Sequence, residues 1–332
     1  MEENSQNIQL TITEDDQNNF KRLDHFLTKK LSGYSRTFLK SLFQNGHIYL
    51  APNTSPDQNK LELKKMPAAG SQIIINIPPP IPIEAVPENI PLEILYEDEH
   101  LLIINKHPGI VTHPAPGNYS GTIVNAILHH CTDLTGIGSK IRPGIVHRLD
   151  KGTSGTMVIA KSQKCHEGLI LLFSHHDIDR IYEAISMGRD LAVAGTINAP
   201  IGRHPSHRLK MATNVRNSKI AKTHYKVLSR FKKSCHLELK LETGRTHQIR
   251  VHLSNILKSP ILCDPLYGNP KEHLTRLPAL KNTLNDYEFP LLHARRLGFI
   301  HPITKKKLVF EVNPPDIFAR SLDILKGECE ST

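Results

Sequence analysis

The sequence predicts an α+β protein, with a mixed, mostly antiparallel sheet domain behind a small α-rich module. Three observations carry that expectation. Strand-like runs outnumber helical ones, and short turns join many of them. A length of 332 residues exceeds one average domain. Six prolines fall between 78 and 91, a composition that is extended and stiff. The chain therefore divides into an acidic N-terminal extension (1–20), a small module (21–77), a proline-rich linker (78–91) and a large domain (92–332).

Ile8 to Ile12 reads as a short strand within an otherwise loose extension. From Arg22 the apolar spacing is helical, with Leu23, Phe26, Leu27 and Leu31 on one face. Gly33 stops that helix, and Ser35 caps a second one carrying Arg36, Phe38, Leu39, Lys40, Leu42 and Phe43. Asn45-Gly46 turns the chain into His47–Leu50, and Gly70 leads into the strand Gln72–Ile77.

In the large domain, Leu92–Tyr96 and Leu101–Ile104 flank an acidic turn and predict a hairpin. Residues 105–117 form a loop with three prolines and two glycines, and Thr122 caps a helix ending near His130. The stretch Gly144–Lys161 opens with Ile145-Val146 and closes with Met157–Ala160, so two short buried strands are expected around a polar turn. Ser162–His175 reads as a helix and Arg180–Ser186 as a strand. Residues 202–222 contain six Lys or Arg and no acid, and read as a basic arm. Thr223–Leu228 and Cys235–Glu242 alternate as strands do. Thr243-Gly-Arg opens a helix whose core stripe is Ile249, Leu253, Ile256 and Leu257, with Arg250 beside it. Leu291–Ala294 and Leu308–Phe310 are further strands before a last helix from about Asp316.

The net charge is +10, yet residues 1–20 hold five acids and no Lys or Arg, so the remainder carries +10 − (−5) = +15. Such a body suits a polyanion, nucleic acid being the usual one, although solubility alone also accounts for charge. Five scattered cysteines without a Cys-x-x-Cys pair fit a reducing cytosol rather than a disulfide framework or a zinc site. The acidic N-terminus is no signal peptide, and no run of 18 apolar residues suggests a membrane span.

No glycine-rich nucleotide or phosphate loop is present, which leaves nucleotide cofactors and phosphoryl transfer without support. The pairs His129-His130, His175-His176 and His204-x-x-His207 lack a matching cysteine or carboxylate cluster, so no metal is expected. What remains is Asp150, Tyr182 and Arg250. Taken singly, these are a turn aspartate, a half-buried strand aromatic and a surface cation. Taken together, an acid in a dry pocket needs a cation, and a ring beside the pair can stack on a base. That is enough for nucleoside chemistry without a cofactor.

Two resemblances sharpen this. Arg22-Leu-Asp-His-Phe-Leu, Tyr34-Ser-Arg-Thr-Phe-Leu-Lys and Gly46-His-Ile-Tyr-Leu resemble the small RNA-binding module first seen in a ribosomal small-subunit protein. There the second helix lays cations on phosphates, a role that would fall to Arg36 and Lys40. His147-Arg-Leu-Asp-Lys-Gly-Thr-Ser-Gly155, Arg180-Ile-Tyr-Glu-Ala184, Thr243–His252, and Leu292-His-Ala294 with His301-Pro302 resemble the RluA-type pseudouridine synthases, from about residue 92 to 312. Gly195–Pro205 is most similar to their RluD-like large-subunit branch.

The resemblance implies a catalytic domain of pseudouridine synthase type and isomerisation of uridine in RNA, with large-subunit (23S) ribosomal RNA or the large subunit as partner. It makes Asp150 the catalytic aspartate, Tyr182 the ring on the uracil, Arg250 the ion-pair partner, and Arg148 the filler of the space a flipped nucleotide leaves. Lys106 in the proline-rich loop and Arg203, Arg208 and Lys210 in the arm would bind RNA. No cofactor or metal is implied, and a cytoplasmic monomer is expected. Transfer RNA as substrate, or a non-catalytic RNA-binding or ribosome-assembly factor, stay open. Departures from the family pattern are His107 ahead of Pro108, and Ser259 and Cys263 where His and Gly are usual.

Overall fold

The structure, a computed structural model, describes residues 6–52, 61–78, 85–114, 118–131, 134, 137–139 and 142–330. The chain forms two compact units, residues 1–82 and 83–332.

In the first unit β1 (Gln6–Thr11), α1 (Glu14–Asn19), α2 (Leu23–Lys30), α3 (Arg36–Gln44), β2 (Ile48–Leu50) and β3 (Gln72–Ile77) follow in order. β3 lies between β1 and β2, antiparallel to both. Its strict alternation turns Ile73, Ile75 and Ile77 inward, against Leu23, Phe26 and Leu27 of α2 and Leu39 and Leu42 of α3. Ser35 caps α3 by accepting the Phe38 N–H.

Residues 6–19 do not stand apart as an acidic extension. β1 is a strand of this sheet, Ile12 is buried in its core, and Asp16 closes a capping box with Thr13 and pairs with Lys30 at 3.1 Å. Residues 53–60, between β2 and β3, and residues 79–84 of the proline-rich stretch lie outside the described residues. Residues 86–88 already belong to the second unit, where Val86 O accepts a hydrogen bond from Asn125 Nδ2 and the Glu88 carboxylate accepts the Gly121 N–H.

The second unit begins with β4 (Glu93–Glu97), β5 (Leu101–Lys106), α4 (Ile123–His130) and the short strands β6 (Gly138–Ser139) and β7 (Arg142–Pro143). β8 (Ser154–Ala160), α5 (Gln163–His175), β9 (Asp179–Met187), β10 (Ala194–Asn198), β11 (Ile201–Arg203), β12 (Met211–Thr213), β13 (Lys222–Arg230) and β14 (Ser234–Leu241) come next. α6 (Gln248–Val251), a π-turn over His252–Ile256, α7 (Pro270–Arg276), α8 (Lys281–Leu284), β15 (Leu292–Ile300), β16 (Lys307–Glu311) and α9 (Asp316–Glu330) complete it.

One sheet runs β10-β13-β14-β9-β15-β8-β5-β4, with β16 also on β15. Only β15 and β8 pair in parallel, over His293–Ala294, so the sheet is mixed and mostly antiparallel. β8 is buried along its whole length, as a central strand covered on both faces must be. No helix among the described residues is long and apolar enough to cross a membrane.

Two expectations fail locally. Ile145-Val146 is not a strand and meets β8 through a single bridge, Ile145 to Ile159. Gly144, at φ +70°, brings the chain against the end of β8, close enough that a Cβ would meet Ala160 O at 2.4 Å. Ile256 is 39% exposed rather than in the core stripe. The π-turn adds a residue to that turn and rotates Ile256 outward, while Ile249 and Leu253 stay buried.

Candidate active site

Asp150 sits in the irregular segment just before β8, and a neighbouring loop holds its backbone in place. The Thr112 hydroxyl donates to Leu149 O at 2.8 Å, and the Gly109 N–H donates to Lys151 O at 2.8 Å. Lys106, only 1% exposed, gives its ammonium protons to His107 O, Ile110 O and Lys151 O. Farther back, the Val158 N–H donates to His147 Nε2, and the His147 ring stacks on Phe173 with centroids 4.7 Å apart. A segment without a ladder of its own is thus fixed on both sides of its acid.

The cation comes from α6. Arg250 Nη1 donates to Asp150 Oδ2 at 3.2 Å, while Nε and Nη2 donate to Asp264 at 2.7 and 2.8 Å. Asp264 is fully buried and also accepts the N–H groups of Leu266 and Tyr267. Burial alone would raise its pKa, but Arg250 and those N–H groups outweigh burial and hold it below the usual carboxylate value. Burial likewise opposes the Arg250 charge, and Asp264 and Asp150 together more than restore it.

Tyr267 closes the group from below. Its ring lies 5.1 Å from the Arg250 guanidinium carbon, and its oxygen accepts the Met211 N–H at 2.7 Å. Burial pushes its pKa up to about 12, so it is a phenol and gives its proton to His247 Nδ1, 2.8 Å away. Burial also lowers the pKa of His247, against the pull of Asp150. A neutral His247 with Nδ1 accepting has its proton on Nε2, which lies 4.0 Å from Asp150 Oδ2.

Asp150, His247 and Arg250 line a cleft of about 550 Å³. Period-two geometry on β9 brings Arg180 and Tyr182 to its wall and turns Glu183 to the opposite face, where it pairs with His236 and Arg295. Tyr182 is 8% exposed, and its phenol is pushed up by burial, with Arg180 opposing and Asp150 adding. Arg148 is exposed and also lines the cleft.

Asp150, Tyr182, Arg250 and Arg148 therefore come together in one place. The other expected residues do not join them. Arg203, Arg208 and Lys210 ride on the β11–β12 hairpin, Arg203 and Arg208 exposed and Lys210 half-buried. Arg203 donates to Arg208 O, which braces the hairpin tip. Arg36 and Lys40 are exposed on α3 of the first unit, and Arg36 pairs with Asp24 at 2.6 Å. Lys106 is no surface contact for RNA: three carbonyl oxygens enclose its ammonium.

Sequence reading missed Asp264, Tyr267, His247 and Arg180. The signal for Asp264 was a lone acid after an apolar run, and its partner Arg250 lies 14 residues away. The usual glycine site at Cys263 does keep its backbone shape, with Cys263 at φ +61°.

Comparison with known proteins gives one consistent answer. Residues 100–255 match the family model described as RNA pseudouridylate synthase. The chain is 42% identical over 297 residues to a Zymomonas mobilis protein named ribosomal large subunit pseudouridine synthase D, covering 89% of this chain and 90% of that one. A Pseudomonas aeruginosa protein of the same name is 39% identical, with 94% of each chain covered. Among solved structures, human RNA pseudouridylate synthase domain containing 4 is 31% identical, with a TM-score of 0.56 over 70% of this chain and 93% of its own.

Proposed function

The chain belongs to the RNA pseudouridylate synthase family, and from that premise we propose that it isomerises uridine in large-subunit (23S) ribosomal RNA with Asp150 as its catalytic aspartate. The observation that carries this reading is the meeting of Asp150 with Arg250 at 3.2 Å in a cleft walled by Tyr182. Transfer RNA as substrate has no comparable support, since the two relatives above are named for the large ribosomal subunit.

In the proposed reaction the uridine leaves the stack, which costs a few kcal/mol and favours loops over paired stems. The base lies on the Tyr182 ring, a contact typically worth about 1–3 kcal/mol. Arg148 at the cleft mouth fills the space the nucleotide leaves. The Asp150 carboxylate acts at the ribose, either as nucleophile, in a bond that C5 later displaces, or as base, with a proton it later returns to the sugar, and the N1–C1′ bond breaks. The uracil rotates within the cleft, C5 bonds to C1′, and the proton that C5 loses is balanced by one gained at N1. Arg250 keeps the carboxylate paired throughout, and Asp264 keeps Arg250 aimed. The enzyme is expected in the cytoplasm, with its RNA.

Asp150→Asn tests the assignment, because it preserves shape and removes charge. Turnover should vanish while RNA affinity stays within a few fold. Pseudouridine formed at the parental rate would remove Asp150 from the mechanism. Pseudouridine maps of ribosomal and transfer RNA, from cells with and without the protein, test the substrate. Loss of a mark from transfer RNA alone would overturn the ribosomal reading.

A further inference from the structure

We propose that Glu97, His130 and Cys131 form a binding site for a divalent transition-metal ion, zinc being the best match, at the end of the sheet away from the uridine cleft. Neighbours in sequence supply two of the donors: His130 ends α4 and Cys131 is its C-cap residue. Glu97 comes from the end of β4, so the carboxylate that the histidine pair lacks in sequence is supplied by the fold. One donor atom from each of the three lies within 4.8 Å of the others, and among the described residues no other such cluster of His, Cys, Asp or Glu occurs.

The chemistry of the set is selective. A thiolate, an imidazole and a carboxylate suit zinc, and disfavour calcium and magnesium, which seek oxygen. Bond lengths of about 2.0 Å to nitrogen and oxygen and 2.3 Å to sulfur put tetrahedral ligands roughly 3.3–3.6 Å apart. Glu97 Oε2 and His130 Nε2 stand 2.8 Å apart as a hydrogen-bonded pair, so an ion would displace the shared proton and open this pair by about half an ångström, with the Cys131 sulfur within 4.8 Å of both. Lys161 occupies only the other oxygen, Oε1, at 2.6 Å, and is anchored to Asp98 O as well. The carbonyl end of α4 adds a favourable negative potential beside His130 and Cys131.

Burial and Glu97 hold the Cys131 thiol protonated at neutral pH, with Lys161 opposing. Metal binding must displace that proton, and affinity should rise with pH. Asp150 precedes β8 and Lys161 follows it, so a seven-residue strand, about 20 Å, separates the two sites. The ion would clip the edge strand β4 to α4 and would play no part in the isomerisation.

The test is titration of the chelator-treated full-length protein with Co²⁺, followed by absorbance. One equivalent should bind with a thiolate-to-cobalt charge-transfer band. That band should be lost in Cys131→Ser and kept in Cys329→Ser, and Zn²⁺ should bleach it. Pseudouridine formation by Cys131→Ser would show that the variant is folded. Should it not fold, His130→Gln decides, with affinity expected to fall by at least about tenfold, the loss that even an outer-partner substitution brings. A parental protein without a saturable band, a band that survives Cys131→Ser, or unchanged affinity in His130→Gln would each overturn the site.

Discussion

Arg250 gives two N–H groups to Asp264, at 2.7 and 2.8 Å, and one to Asp150, at 3.2 Å. The fork is therefore oriented by a fully buried acid, and the acid facing the cleft receives the remaining arm. Bidentate pairing fixes the plane of a guanidinium, which a single contact cannot do.

Asp264→Asn should separate aiming from chemistry. The amide keeps the shape but offers one acceptor in place of two charged ones, leaving a buried guanidinium short of charge. Unfolding free energy should fall by about 3 kcal/mol, the lower end for a broken buried pair. kcat should fall far more than KM changes, because Asp150 loses its fixed partner while the walls of the cleft remain. Urea unfolding and steady-state assays on one RNA fragment measure both. An unchanged kcat would show that Asp150 and Tyr267 suffice to orient Arg250.

Lys106 gives a pH dependence with a definite sign. Burial lowers its pKa from the ordinary 10.5 to about 7, with Asp150 opposing. Between those values the unfolded chain holds a proton that the folded protein has released, so folding stability should rise with pH across the window and be lowest below 7. The slope contributed should approach about 1.4 kcal/mol per pH unit. Lys106→Met should remove that slope, which denaturant titrations at pH 7 and pH 9 would reveal. Equal slopes in parent and variant would mean that Lys106 stays charged, held by its three carbonyls.

How much could be read beforehand depended on how local the cause was. β3 shows in the alternation of Gln72–Ile77, and β9 in Arg180–Ser186, because the pattern that makes a strand lies within it. The caps Ser35 and Thr122 were legible for the same reason. Lys106 was not, because its burial depends on carbonyls that include Lys151 O, 45 residues on. Asp264 and Tyr267 draw their meaning from Arg250, and nothing within Cys263-Asp-Pro-Leu-Tyr267 signals a cation overhead. Ile145-Val146 shows the converse: an apolar pair reads as a strand, yet its path was set by Gly144 and by the His147 bond to Val158.

The β11–β12 hairpin should contribute charge rather than catalysis. Arg203 is exposed and Lys210 half-buried, on a hairpin whose return strand is tied at Met211 to Tyr267. Replacing both cations with alanine should weaken RNA binding at low salt. It should also flatten the slope of log affinity against log salt by roughly 0.7 for each phosphate of a single strand that is no longer neutralised. kcat at saturating RNA should stay within about twofold, since neither side chain lines the cleft. Fluorescence anisotropy across a salt series is the measurement, and an unchanged slope would show that the hairpin is not on phosphate.

Arg180 is the cleft residue whose free state is least comfortable. It is 7% exposed, its Nη2 donates to Glu242 O at 3.1 Å, and its guanidinium lies 5.5 Å from the centre of the Phe173 ring. Its Nε, however, has no hydrogen-bond partner among the described residues, and burial lowers its pKa. A buried charged donor left unpaired costs stability, and a substrate oxygen that reaches it recovers a bond worth about 1.5–3 kcal/mol. Arg180→Met should therefore raise KM for RNA by about ten- to a hundredfold, the same energy expressed as affinity. Unfolding free energy should hold steady or rise, because the variant no longer buries an incompletely paired charge. A variant that unfolds more easily and keeps the parental KM would show the guanidinium to be a prop for β9, with no acceptor on the substrate.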